Sequence, residues 1–263
     1  MPDLLNIVTS SEKRKRLLIM LMSGPRSWDE IRETLQVTST GMLPQIKILI
    51  ESDLVQKDRD RYSLTDIGKS ITHHLVPFVQ VIDFFGHLKD YLSDHDFSVL
   101  PLHFRLSIGD IGNVLVNEVE TADIFVPHKD FLDNIRNSRS VTGISPVMYP
   151  SYPAFFVERA REGTDVLIVM TRSIFHRVRD EYQDELNEGL NLPNLQIYVS
   201  DEEIRFACIA TDSYLWLSLF TKNSIYDPKT ELISYDPSAR QWGERLVHSY
   251  LDCSKRITRD LVR

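Results

Sequence analysis

Residues 37–71, VTSTGMLPQIKILIESDLVQKDRDRYSLTDIGKSI, decide the architecture of the amino-terminal part of this chain. Within them, residues 39–52 set Met42, Leu43, Ile46, Leu49 and Ile50 at helical spacing on one stripe. Thr40, Gly41, Pro44, Gln45, Lys47 and Ile48 then face away from that stripe. Leu54-Val55 and Tyr62-Ser63-Leu64 follow as two short strand-like segments, and the charged run 56–61 between them reads as a hairpin tip. Thr65 opens a further helix.

Upstream, residues 11–22 start at the capping residues Ser10 and Ser11, pass through Lys13-Arg14-Lys15-Arg16 and stop before Gly24-Pro25. Ser27 opens a helix over 28–35, where Glu30 completes a capping box and Ile31 and Leu35 lie one turn apart. Three helices followed by a hairpin is the order of a winged helix. Downstream, residues 65–92 carry Ile67, Ile71, Leu75, Phe78, Val81, Ile82, Phe85 and Leu88, more apolar surface than a linker needs. That surplus predicts a dimer seam, with Pro77 and Gly86 as points of interruption, and Ser93-Asp94-His95-Asp96 ends the pattern.

Beyond residue 95 the periodicity alternates. Strands are expected at 122–126, 141–147, 165–170, 195–200, 205–210, 214–221 and 231–235, the last four as an antiparallel meander. Helices are expected at 129–138, 153–162, 173–187 and 238–258. The fold class is α+β: a winged helix-turn-helix over 1–64, a linker and dimerisation helix over 65–95, and an α/β sensor domain over 96–263.

The net charge of −8 over 263 residues argues against nucleic-acid binding if charge is spread evenly. It is not: residues 11–70 hold 11 Lys and Arg against 9 Asp and Glu, a net +2, leaving −10 elsewhere. No apolar run reaches the roughly 18–20 residues that span a bilayer, and the start lacks a signal-peptide layout, so a cytoplasmic protein without a membrane partner is expected. Cys208 and Cys253 show no CxxC spacing, and the expectation is buried free thiols, with no metal and no cofactor.

The stretch 37–71 resembles the ArsR-like winged-helix regulators of archaea, with Tyr62, Leu64, Thr65 and Gly68 matching their Tyr-x-Leu-Thr-x-x-Gly ending. The remainder is similar to the sensor domain of the methanogenesis and filamentation regulator family. Leu100-Pro101, Ser107-Ile108-Gly109 and residues 232–237 ahead of the Trp242-Gly243 helix carry that likeness. The resemblance implies a homodimeric transcription regulator of double-stranded DNA. Where such regulators place Gly after the recognition helix this chain has Asp53, which predicts a distorted helix exit.

On this reading Thr40, Gln45 and Lys47 face the major groove, and the hairpin puts Lys57, Arg59 and Arg61 on one side to meet phosphates. A small-molecule or protein effector is expected to act at the carboxyl-terminal domain, with two places for a ligand: Thr171-Arg172-Ser173 ahead of a helix, suited to an anion, and Tyr149 and Tyr152. Related sensor domains resemble the phospholipase D fold, whose chemistry needs paired His-x-Lys motifs. Here His103-Phe104-Arg105 with Asp110 is a single near miss, and His128-Lys129-Asp130 has the wrong spacing, so no enzyme activity is expected. The alternatives are a winged-helix protein-interaction module and, less favoured, a phosphodiesterase-like enzyme.

Overall fold

Capping chemistry delimits the helices of the amino-terminal part. In the computed structural model, which describes residues 3–118 and 129–261, Asp3 caps α1 (Leu4–Thr9) and Ser11 caps α2 (Glu12–Leu21). The two-residue strand β1 (Arg26–Ser27) leads into α3 (Trp28–Leu35), where the expected capping box is present. Ser27 N–H donates to Glu30 Oε2 at 2.6 Å, and Glu30 N–H donates back to Ser27 Oγ at 3.2 Å. Then come α4 (Ser39–Glu51), β2 (Val55–Asp58) and β3 (Arg61–Leu64), the strands pairing antiparallel in the order β1-β3-β2. Leu17, Leu18, Ile31, Met42, Leu49 and Leu54 are fully buried between these helices and the sheet. This is a winged helix, within a compact unit spanning Met1–Val79; a second unit spans Gln80–Arg263.

The face of α4 differs from the expected stripe. Met42, Ile46 and Leu49 are buried, but Leu43 and Ile50 are 44% and 39% exposed, while Gln45 and Ile48 are half-buried. The cause is α1, a helix too short to leave a periodic signal in the sequence. Arg14, itself buried, donates from Nε to the carbonyl of Ile7 at 2.6 Å and from Nη1 to Gln45 Oε1 at 2.8 Å. That bridge turns the Gln45 side of α4 inward and the Leu43 side outward.

The exit of α4 is regular, contrary to expectation. Asp53 adopts the left-handed conformation at φ 55°, its N–H donates to the Ile50 carbonyl at 3.0 Å, and Leu54 N–H donates to the Leu49 carbonyl at 2.9 Å. This double closure is the Schellman arrangement, and a carboxylate side chain tolerates it at a cost of about 1 kcal/mol relative to glycine. Thr65 Oγ1 then donates to the Asp53 carbonyl at 2.6 Å and accepts from Gly68 N–H at 2.9 Å. A Cβ on Gly68 would lie 1.9 Å from the Leu54 carbonyl oxygen, so only glycine allows this approach. Helix α5 (Asp66–His87) passes Pro77 and Gly86 without interruption, and after Leu88 the short α6 (Lys89–Asp94) follows.

The second unit is built on one mixed sheet. After α7 (Leu102–Leu106) and β4 (Leu115–Glu118) come α8 (Lys129–Arg136), β5 (Ser140–Ser145), α9 (Tyr152–Arg161), β6 (Asp165–Thr171), α10 (Arg172–Glu181), α11 (Gln183–Gly189) and β7 (Leu195–Ser200). The chain continues through β8 (Phe206–Thr211), β9 (Leu215–Leu219), β10 (Thr230–Ser234), α12 (Pro237–His248) and β11 (Ser254–Arg256). The strand order is β11-β7-β6-β5-β8-β9-β10-β4. Strands β5, β6 and β7 run parallel through helical crossovers, and the other pairings are antiparallel.

Four expectations need correction here. β7 is no member of a four-strand meander: it pairs parallel with β6, and only β8, β9 and β10 form the meander. The helix expected over 238–258 stops at His248, and the chain returns as β11 beside β7. The helix expected over 173–187 divides at Tyr182, whose extended φ of −132° cannot continue an α-helix. Cys208 is buried, which pushes its thiol pKa up, but Cys253 is exposed on the turn after α12. The expected strand at 122–126 lies outside the described residues. Trp242 is fully buried, meets Phe104 edge-on at 5.4 Å and donates from Nε1 to its carbonyl at 3.3 Å. No described helix is long and apolar enough to cross a membrane.

Candidate functional site

The solvent face of α4 is assembled from its first turn onward. Thr38 caps the helix with backbone geometry only, because its side chain accepts no hydrogen bond from the first turn. Thr40 is exposed, with its hydroxyl 3.4 Å from that of Thr38. Lys13, exposed on α2, brings Nζ to 3.4 Å from the Gly41 carbonyl. A cation beside a helix amino terminus is electrostatically unfavourable alone and becomes favourable once an anion sits between them. Lys13 has no local signal in the sequence, because the run 13–16 does not indicate which of its cations faces α4.

Further along, Lys47 is exposed and lies 3.7 Å from Glu51, a loose pair that leaves its ammonium available. Gln45, expected to read bases, is instead engaged on its carbonyl side by Arg14 and Ser11, the latter at 3.4 Å. Its role in holding α2 against α4 therefore comes before any role toward a ligand.

The wing also departs from expectation. Lys57 lies opposite Tyr62 and Asp58 opposite Arg61 in the hairpin register. Adjacent pairs in an antiparallel ladder point to opposite faces, so Lys57 and Arg61 do not share a side. The alternation that puts every second residue on one side holds along a single strand, and the chain reverses between these two cations. Lys57 sits over the Tyr62 ring at 5.3 Å, Arg61 lies 3.5 Å from Glu30, and Arg59 occupies the tip with φ 51°. Bonds from Ser27, reinforced by Arg61 and Arg26, hold the Glu30 carboxyl below the usual carboxylate range.

In the second unit the two expected ligand positions separate. At Thr171-Arg172-Ser173, Thr171 Oγ1 caps Ile174 N–H at 3.4 Å and Arg172 Nε donates to Asp201 at 2.9 Å. Glu202 and Glu203 line the same open depression, so an anion would meet three carboxylates and one neutralised guanidinium. Tyr149 and Tyr152 instead line a partly open cavity of about 100 Å³ between strands β5 to β9 and helices α8 to α11, with aliphatic residues such as Ile144, Ile168, Met170 and Ile197 over much of its lining. Phe131, Trp216 and Tyr226 complete its aromatic wall. Burial raises the pKa of the Tyr149, Tyr152 and Tyr226 hydroxyls, and Tyr226 and Tyr149 are hydrogen-bond partners. Phe131, Trp216 and Tyr226 were not singled out from sequence, since they are scattered across the chain without a local motif.

The residues of the near-miss motif disperse: His103 is exposed on α7, and Asp110 pairs with Arg245 at 3.3 Å. Of the second fragment, His128 lies outside the described residues. Among the described residues no group of His, Cys, Asp and Glu is placed to hold a metal ion.

One unit is a winged helix, and the other is an α/β sheet with a small cavity against its helices. Residues 2–83 match the N-terminal domain, and residues 124–253 the middle domain, of the methanogenesis regulatory protein FilR1 family. Together these matches cover most of the chain, which belongs to that family of regulators. Methanogenesis regulatory protein FilR1 of Methanothrix harundinacea (strain 6Ac) is 23% identical over 262 residues, covering 98% of this chain. The chain spans 59% of the length of that relative. Among solved structures, the archaeal chromatin protein TrmBL2 aligns over 93% of this chain and 94% of its own, at 10% identity and a TM-score of 0.43. Nuc, a phospholipase D family member from Salmonella typhimurium, aligns over 56% of this chain and 98% of its own, at 12% identity and a TM-score of 0.38.

Proposed function

We propose that the chain is a sequence-specific transcription regulator that binds double-stranded DNA as a homodimer through an ArsR-like winged helix and answers to an effector held in its second unit. The observation that carries this reading is the first turn of α4, where amides that the Thr38 side chain leaves uncapped, the exposed Thr40 hydroxyl and the Lys13 ammonium beside Gly41 lie within one turn. A DNA phosphate satisfies all three, and it fixes α4 so that Lys47 and the apolar Leu43 reach base edges, the latter against a thymine methyl. Arg59 at the wing tip then tracks the neighbouring backbone. The dimer reading rests on α5, where Phe78, Ile82 and Phe85 are exposed at spacings of four and three residues.

One observation favours a second reading. Leu43 and Ile50 are exposed apolar residues on α4, as a protein-docking helix would present. A salt-titrated binding assay separates the two, using the DNA upstream of the protein's own coding region against random DNA of equal length, with oligomeric state measured in parallel. Preferential, salt-sensitive binding by a dimer is the expected result. Absence of DNA binding at low salt, with or without a candidate effector, would move the function to protein docking.

A further inference from the structure

The chemistry of the cavity describes its occupant. Of the described residues that line it, only Glu185 is charged, and no lysine, arginine or histidine contributes. Behind the aromatic wall lies a second carboxylate, Glu231, only 7% exposed on β10. Its two oxygens accept hydrogen bonds from Trp216 Nε1 and, at 2.7 Å, from Asn117 Nδ2, both neutral donors. Both donors are neutral, so this carboxylate has no cationic partner among its hydrogen bonds, and an ionised carboxylate placed there favours a cation nearby. Trp216, which donates to that carboxylate, itself lines the cavity, so one indole stands between Glu231 and the space.

The rings between that charge and the cavity form a continuous set. Trp216 meets Phe131 at 5.2 Å between centroids, Phe131 meets Tyr152 at 6.0 Å, and Tyr152 meets Tyr149 at 5.2 Å. Ring faces carry negative potential and attract cations, tryptophan most strongly. The Trp216 N–H, donating to a carboxylate, pushes further electron density into its indole. An anionic ligand would be repelled by Glu231 and Glu185, and a neutral apolar ligand would draw nothing from the buried charge. About 100 Å³ admits only a few heavy atoms.

We propose that this cavity binds a compact organic cation of the alkylammonium class, enclosed by Phe131, Tyr149, Tyr152, Trp216 and Tyr226, with Glu231 as counter-charge behind the indole. This names the effector class for the sensing role assigned above to the second unit, and it replaces the anionic effector expected at Thr171-Arg172-Ser173.

The test is calorimetric titration of the full chain, without DNA, with three probes of similar shape: tetramethylammonium, tert-butanol and pivalate. Tetramethylammonium should bind about tenfold or more tightly than tert-butanol, and pivalate should not bind. Glu231→Gln should bring the cation down to the level of tert-butanol and leave tert-butanol unchanged. If Glu231→Gln fails to fold, Tyr149→Leu at the half-buried rim should weaken the cation about fivefold with little effect on tert-butanol. Equal affinity for the cation and the alcohol, binding of pivalate, or binding of none of the three would each overturn the proposal. Repeating the DNA titration with tetramethylammonium present separates the two readings: cation binding with unchanged DNA affinity sinks the sensing role alone, while DNA binding without any cation binding sinks only the cavity assignment.

Discussion

The solvent face of α4 and the cavity of the second unit are opposite solutions to holding a ligand. The first is open and polar, made from neighbours in one helix and one preceding helix, with Lys13 and a first turn that has no side-chain cap as its working parts. The second is recessed and apolar, with rings at positions 131, 149, 152, 216 and 226 that only the sheet brings together. The difference teaches where stability and binding are coupled. At an exposed helix face a side chain can be removed at little cost to the fold, whereas a cavity wall is also core.

Substitutions can sharpen or break that contrast. The largest effect is expected at Trp242, which supports the sheet beneath the second unit: Trp242→Ala should cost about 4 kcal/mol in denaturant unfolding of that unit. Arg14→Ala should cost about 2 kcal/mol in the unfolding of the first unit, because the Ile7 carbonyl and Gln45 lose their buried donor. A comparable loss for Lys13→Ala would erase the contrast. Lys13→Ala is expected instead to keep its melting temperature, weaken DNA binding roughly tenfold at low salt and flatten the salt dependence by about one unit of slope. Asp53→Gly should raise stability by about 1 kcal/mol by relieving the left-handed backbone at the α4 exit. The smallest effect concerns pH. The folded state holds Glu30 below its ordinary value of 4.5, so its stabilisation is present above that pH and is lost as pH falls below it. Glu30→Gln, which cannot ionise, should remove that part of the acid sensitivity in melts followed by circular dichroism.

The same contrast explains what the sequence made legible. The capping box at Ser27 and Glu30, the hairpin between Val55 and Leu64 and the bounds of β6 and β7 are written in neighbouring residues, and the structure has them within a residue or two. What escaped was set by residues far apart. β7 lies beside β6 because the α10 and α11 crossover carries the chain back over the sheet, and β4 pairs with β10 across more than a hundred residues. α1 carries no amphipathic period, and with it went the inward turn of Gln45 and the outward turn of Leu43. The acidity around Arg172 comes from 201–203, a loop that no local reading places near Thr171.

The junction at Thr65 and Gly68 has a mechanical meaning. Through Thr65 the carbonyl of Asp53, just past the end of α4, and the Gly68 amide in the first turn of α5 share one hydroxyl, and Gly68 rests against the Leu54 carbonyl with no side chain between them. The end of α4 and the first turn of α5 are thus pinned to each other at a single threonine, and a substitution there loosens both helix ends at once.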